Sequence, residues 1–249
     1  MILSGEIKRI EDWYYKAGPK DKDVQWKNDY SAKEFAKLWF DENENIILPH
    51  EIAELIGKVF GNFEVLFGIP EHATRIDKYP GEQRNHDMFL FCKKENGEDF
   101  IVCIEAKVAE PLGDIIKKEL DNVKNKSKTN KPNRINDMKK KLKMEKKDIS
   151  NLRYQLFTGS VGTIKEGENY KVKECFFLIL QILPELKIPG RNEERKINSN
   201  YNDIINFLKV NEAMKIVEAE EAKSFIYKLN TILTNLNVYL GYLKINERN

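Results

Sequence analysis

No run of eighteen apolar residues occurs in the 249-residue sequence, so a membrane-spanning helix is not expected. The opening stretch, MILSGEIKRIEDWYYKAG, carries charges where a signal peptide would need its apolar segment. Cysteine is scarce: Cys92, Cys103 and Cys175 each sit in an apolar, strand-like run, without metal-ligand spacing. They read as reduced core residues of a cytoplasmic protein. The three histidines, His50, His72 and His86, are scattered and form no zinc-type pattern. Also missing are a Walker A loop, a G-x-S-x-G elbow and a dinucleotide fingerprint, which removes support for ATPase, serine hydrolase and Rossmann readings. No internal repeat or low-complexity linker divides the chain.

What is abundant is charge, at 33% of residues. It is unevenly placed. Residues 117–147 hold thirteen Lys or Arg against four acids; since the whole chain is +2, the remainder is near −7.

Periodicity predicts a helix in SAKEFAKLWFDEN, with Ser31 as N-cap and Glu34 at the capping-box position. Phe35, Leu38 and Trp39 form its apolar stripe. A second helix is expected in LPHEIAELIGKVF, with Pro49 at its start and Ile52, Leu55, Ile56 and Val59 facing inward. FEVLFGIP reads as a short strand stopped by Gly68 and Pro70. HDMFLFC and DFIVCIEAKV, joined by KKENGE, read as an antiparallel hairpin. DISNLRYQLFTGSVGTI reads as a helix capped by Asp148 or Ser150, and ECFFLILQIL as a central strand buried on both faces. PELKIPGRNEERKINSN reads as a loop. In the tail, YNDIINFLKVN and EAKSFIYKLN look helical, and LNVYLGYLKI looks like a last strand. The sum is an α/β fold with a mixed central sheet flanked by helices and a mainly helical C-terminal part. Residues 1–30 read as an N-terminal extension, 31–183 as the core and 184–249 as an extension packed on it.

Inside the hairpin, Glu105 and Lys107 share one face of their strand, and Asp87 begins the partner strand at the same end of the ladder. Two carboxylates and an ammonium therefore converge. Buried like charges repel unless a cation neutralises them. Oxygen ligands in this arrangement suit Mg²⁺ or Mn²⁺, which keep several waters and accept phosphate oxygens. A lysine beside such an ion can orient a water or stabilise charge developing on phosphate.

With NHDMFLF and CIEAKV, residues 49–183 resemble the PD-(D/E)xK nuclease superfamily, which includes restriction endonucleases and Holliday-junction resolvases. LFGIPEH, EAKVAEPLG and LRYQL resemble more closely a bacterial family defined only as a domain of unknown function. The superfamily resemblance implies a restriction-endonuclease-like core, with Asp87 and Glu105 as ligands of Mg²⁺ or Mn²⁺. It implies that Lys107 positions the attacking water and that Gln155, beside Tyr154, stands next to the metal. Glu51 or Glu54 would match the upstream-helix glutamate that many subfamilies use. His86 departs from the proline common at its position. Glu110 would shape the turn after the motif strand, and Glu71 and His72 would line the cleft or form a turn.

The Lys-rich segment leaves this site immediately after Gly113. Lys117, Lys118, Lys124, Lys139, Lys140 and Arg153 are therefore candidates for sequence-independent contacts to a nucleic-acid backbone. No aromatic residues interleave them, which argues against a single-strand stacking platform. The expected activity is metal-dependent hydrolysis of phosphodiesters, with DNA as the substrate the resemblance implies. The alternative is a non-catalytic nucleic-acid-binding or regulatory protein that keeps the fold. No membrane partner is expected, and the resemblance allows a homodimer.

Overall fold

The structure is a computed structural model that describes all residues except 1, 4–6, 20–21, 29, 82, 109, 125–128, 184–192, 219–222 and 247–249. The described strands build one mixed sheet in the order β1-β2-β3-β4-β5-β8-β7-β6. At its centre, β4 (Asp99–Lys107) runs parallel to β5 (Glu174–Leu183), and β5 runs parallel to β8 (Asn237–Asn246). On one side β3 (Arg84–Lys94) and β2 (Phe63–Thr74) continue it antiparallel, ending at the two-residue β1 (Ile2–Leu3). On the other, β7 (Ser224–Lys228) and β6 (Met214–Glu218) close it.

Helices cover both faces. Against one face α1 (Ile10–Ala17), α3 (Ser31–Lys37) and α4 (His50–Phe60) place Trp13, Phe35, Ile52, Leu55 and Ile56, while Met88, Val102, Ile104 and Leu178 rise from the sheet. The short α2 (Lys22–Gln25) lies between α1 and α3 in sequence. The opposite face carries α5 (Ile116–Asp121), α6 (Lys131–Lys141), α7 (Tyr154–Tyr170) and α8 (Glu193–Asn211). There Leu156, Phe157, Val161 and Phe207 meet Phe89, Ile101, Phe177 and Ile179. Burial of these apolar side chains is the main stabilising term, and it makes β4 and β5 apolar on both faces.

The hairpin, the central strand and the last strand lie where periodicity put them, and the three cysteines are buried and free. Other expectations are corrected. The strand beginning at Phe63 does not stop at Gly68 or Pro70 but continues to Thr74. It pairs with β3 on one side through Pro70↔Met88, and on the other, among the described residues, Phe67 and Gly68 meet β1. Gly68 lies under Leu3, since a Cβ there would lie 2.9 Å from Leu3 Cδ2.

The helix expected from Asp148 begins only at Tyr154. Residues 150–154 are held instead by the loop after β4: Lys117 N–H donates to Ser150 O (2.9 Å), Ile116 N–H to Leu152 O (2.9 Å) and Tyr154 N–H to Asp114 O (2.9 Å). Asp148 caps no helix, and its Oδ1 accepts from Ser150 N–H in a turn.

Of the stretch expected as a loop at 184–200, residues 193–200 belong to α8, and 184–192 lie outside the described residues. EAKSFIYKLN is not helical: Ser224–Lys228 forms β7, paired to β8. Its apolar pair Phe225–Ile226 suits a helix stripe or a buried strand equally, and the neighbouring strand decides. Among its described residues the C-terminal part is therefore one helix and three strands of the same sheet, not a mainly helical extension. Residues 1–30 likewise enter the core, through β1, Ile7 and Trp13.

Candidate active site

Two features of the ladder bring the candidate residues together. Alternation along β4 sends Ile101, Cys103, Glu105 and Lys107 to the face covered by α7. In β2 and β3 the alternation slips. Phe89 packs on the α7 face, and so do His72, whose ring lies 4.8 Å from that of Phe89, and His86, which meets Phe177. The slip sits at Glu71, a non-glycine residue at φ +50°, and at its opposite number Asp87. It turns Arg84 toward Glu105, beside Asp87.

These side chains line a cavity of about 790 Å³ with Gln155 and Thr158 of α7 and Lys131 and Arg134 of α6. It lies at the C-terminal end of β4, bordered by Gly113 of the segment that follows. Asp87, Glu105, Lys107 and Gln155, expected together, are brought together. Glu105 is only 3% exposed, and both its oxygens are engaged. Lys107 Nζ lies 2.7 Å from Oε1, and Arg84 Nη2 donates to Oε2. Ala106 N–H donates to Asp87 Oδ2 at 2.6 Å, and Asn85 Nδ2 donates to Glu71 Oε2.

The electrostatics follow from burial and neighbours. Burial, then Glu105 and Glu71, push the Asp87 carboxyl well above its ordinary range. Burial and the Glu105 charge raise Glu71 to about 7. Burial also opposes the charge of Glu105, but Arg84 and Lys107 outweigh it and hold that carboxyl below its usual value. Burial opposes the Lys107 ammonium too; the charges of Glu105, Asp87 and Glu110 outweigh it and keep the lysine protonated to higher pH than usual. Burial, then Arg84, keeps His86 neutral.

Backbone placement of Lys107 depends on two amides. Gln181 Nε2 of β5 donates to Lys107 O (3.1 Å) and to Val108 O, and Asn200 Nδ2 of α8 donates to Gln181 Oε1 (3.1 Å) and Glu110 O (2.9 Å). Glu110 Oε2 accepts from Val108 N–H (3.1 Å), a turn-shaping contact. Gly113, at φ +67°, lets Gln155 approach: a Cβ there would lie 3.1 Å from Gln155 Cγ.

The other candidates lie elsewhere. Lys117, Lys118, Lys124 and Lys140 are exposed and Lys139 half-buried; none lines the cavity. Lys118 pairs with Asp114 at 2.8 Å. Arg153 Nε pairs with Asp203 at 2.6 Å, and its Nη1 donates to Gly113 O at 2.9 Å, so it braces the loop beside the site. Glu51 and Glu54 stand on α4, under the opposite face of the sheet. His72 pairs with Glu166 on α7 at 3.2 Å. The Lys-rich segment is not a free arm where it is described: α5 and α6 bury Ile116, Ile135 and Met138 on the sheet side.

Three site residues were not anticipated: Arg84, Gln181 and Asn200. Gln181 left a legible signal, since a lone amide in the apolar run ECFFLILQIL must find partners when buried. Arg84 left none, because only the slip at Asp87 turns it inward.

The donor set fits a divalent cation in its chemistry. Asp87 and Glu105 repel each other, and Gln155 Oε1 is buried beside them without a hydrogen-bond partner. As folded, no three His, Cys, Asp or Glu side chains among the described residues are grouped to hold a metal. The guanidinium and ammonium on Glu105 occupy the seats such an ion would use.

No curated protein and no solved structure matches the chain. A family model described as a domain of unknown function (DUF6946) matches residues 6–247, nearly the whole length, and the chain belongs to that family.

Proposed function

We propose that the chain is a metal-dependent nuclease of the PD-(D/E)xK type, acting on the phosphodiester bonds of DNA. One observation carries the reading: Asp87, Glu105, Lys107 and Gln155, drawn from three separate elements, line one cavity. Mg²⁺ or Mn²⁺ held by Asp87 and Glu105 would supply Lewis acidity toward the phosphate and its attacking water. The chain supplies the rest. Lys107 stays an ammonium because of its acidic neighbours, so it serves as a fixed cation for charge developing on phosphate and not as a base. Glu105 orients that ammonium at 2.7 Å, while Gln181 pins the backbone beneath it. Gln155 offers a buried acceptor that orients a water or its proton. The exposed lysines of α5 and the segment around α6 would supply sequence-independent phosphate contacts.

Cleavage of plasmid and single-stranded DNA in Mg²⁺, Mn²⁺ or EDTA tests this. Cutting is expected only with metal and is lost, by a factor of about 10² or more, in Lys107→Ala and Asp87→Ala. Equal cutting by wild type and both variants would sink the assignment. The second reading, a binding protein that does not cut, is favoured by Arg84 sitting on Glu105. It predicts salt-sensitive DNA binding with no cleavage in either metal.

A further inference from the structure

We propose that Arg84 is an exchangeable counter-ion: it neutralises Glu105 when no divalent cation is bound and competes with that cation for the carboxylate. The inference rests on the metal-site part of the reading above. Arg84 is 6% exposed and Glu105 3%, so the pair is held out of water and the guanidinium has no bulk solvent to retreat into. With Lys107 on the other oxygen, each oxygen of Glu105 already carries a cation. Asp87 and Glu105 line the same space, so a cation entering it would meet Arg84 at the Glu105 carboxylate.

The pair is also incomplete as a permanent structural bridge. Buried ion pairs are retained when their remaining donors and acceptors are satisfied. Here Arg84 Nε is buried with no hydrogen-bond partner, and Gln155 Oε1 is a buried acceptor with none. An orphan donor and an orphan acceptor thus border one cavity. A hydrated cation beside Gln155 and an anionic phosphate oxygen beside Arg84 would satisfy both at once, which the ion pair alone does not. The aliphatic stem of Arg84 rests where α7 carries Gly162, its Cγ 3.0 Å from the position a Cβ would take. That contact fixes the stem and leaves the exchange to the guanidinium end.

The test is isothermal titration calorimetry of Mn²⁺ into the metal-stripped full chain, as wild type, Arg84→Gln, Arg84→Lys and Asp87→Asn. Removing the competing guanidinium is expected to tighten Mn²⁺ binding about tenfold in Arg84→Gln, on the scale of one charge-assisted hydrogen bond. Mn²⁺ should also raise the melting temperature of that variant more than that of wild type. Arg84→Lys, which keeps the charge without the fork, should fall between them. If Asp87→Asn loses Mn²⁺ while folded Arg84→Gln binds it as wild type does, or more weakly, the counter-ion role is overturned and the metal site stands. If Arg84→Gln does not fold, Arg84→Lys decides, and affinity equal to wild type overturns the role. No Mn²⁺ binding by wild type or by either Arg84 variant overturns both the role and the metal reading.

Discussion

Glu71 shows how far a single residue sets the behaviour of this site. It occupies a left-handed backbone conformation that few non-glycine residues adopt, and its carboxyl, raised to about 7, faces Glu105. A carboxyl raised above its unfolded value of 4.5 stabilises the fold fully below that value, and the contribution is lost as pH rises through about 7. Glu71→Gln should therefore match wild type in stability near pH 4.5. Its melting temperature should exceed wild type by a margin that widens up to about pH 8, measured calorimetrically in EDTA. A constant margin across that range would show that Glu71 does not titrate there. Gly113 makes a second residue-scale case. Ala at φ +67° costs about 1–2 kcal/mol, and its Cβ would press on Gln155 Cγ. Gly113→Ala should lower stability by that amount; on the proposed nuclease reading it should also reduce metal-dependent cleavage, whereas Gln155→Ala should reduce cleavage with little loss of stability. Equal stability of Gly113→Ala and wild type would show that the loop relaxes.

Among the elements, α7 decides the depth of the site. It runs seventeen residues across the sheet and approaches it through glycines. A Cβ at Gly159 would lie 2.1 Å from Phe177 Cζ, and one at Gly162 would lie 2.6 Å from His86 Nε2. Side chains at either position would lift the helix, and Gln155 with it, from the ends of β3 and β4. Gly159→Ala should cost about 1–3 kcal/mol by overpacking, read from urea unfolding. Gly159→Ala with Phe177→Leu should recover part of that loss, because the smaller side chain vacates the contact. Failure to recover any of it would place the cost in the helix itself. The loop between β2 and β3 is tied to α6 on the other side of the cavity, with Arg134 donating to Asp77 and Tyr79 Oη donating to Asp137 at 2.9 Å. The Lys-rich segment is thereby fastened to the site it follows.

For the whole molecule, the sheet settles where the chain can be cut. β8 lies between β5 and β7, paired residue for residue with β5 from Glu174↔Asn237 to Leu183↔Asn246. A fragment of residues 1–183 would expose one edge of β5 along its length and leave Phe177 and Ile179 without their neighbours Leu240 and Tyr242. Such an edge is prone to aggregation. The fragment should show no cooperative unfolding transition by circular dichroism, while the full chain shows one. A cooperative fragment would mean that residues 184–249 are an appendage after all. The last strands belong to the same sheet as the site.

By itself, the sequence determined the elements whose physics is local. The hairpin around Asn96–Gly97, the doubly buried β5 and the apolar stripe of α4 all lie where pattern and turn chemistry put them. It also placed Glu105 and Lys107 on one face, because strand alternation needs no partner to operate. The tertiary structure decided whatever depends on a neighbour. β2 runs through Pro70 because β3 pairs with it on both sides of the proline, and β7 is a strand because β8 pairs with it. Tyr154 rather than Asp148 starts α7 because the preceding residues are hydrogen-bonded to the loop after β4. Arg84 reaches Glu105 only through the slip at Glu71 and Asp87. A reversal of side-chain direction within two paired strands has no signature in composition or spacing, since it is a property of the pair.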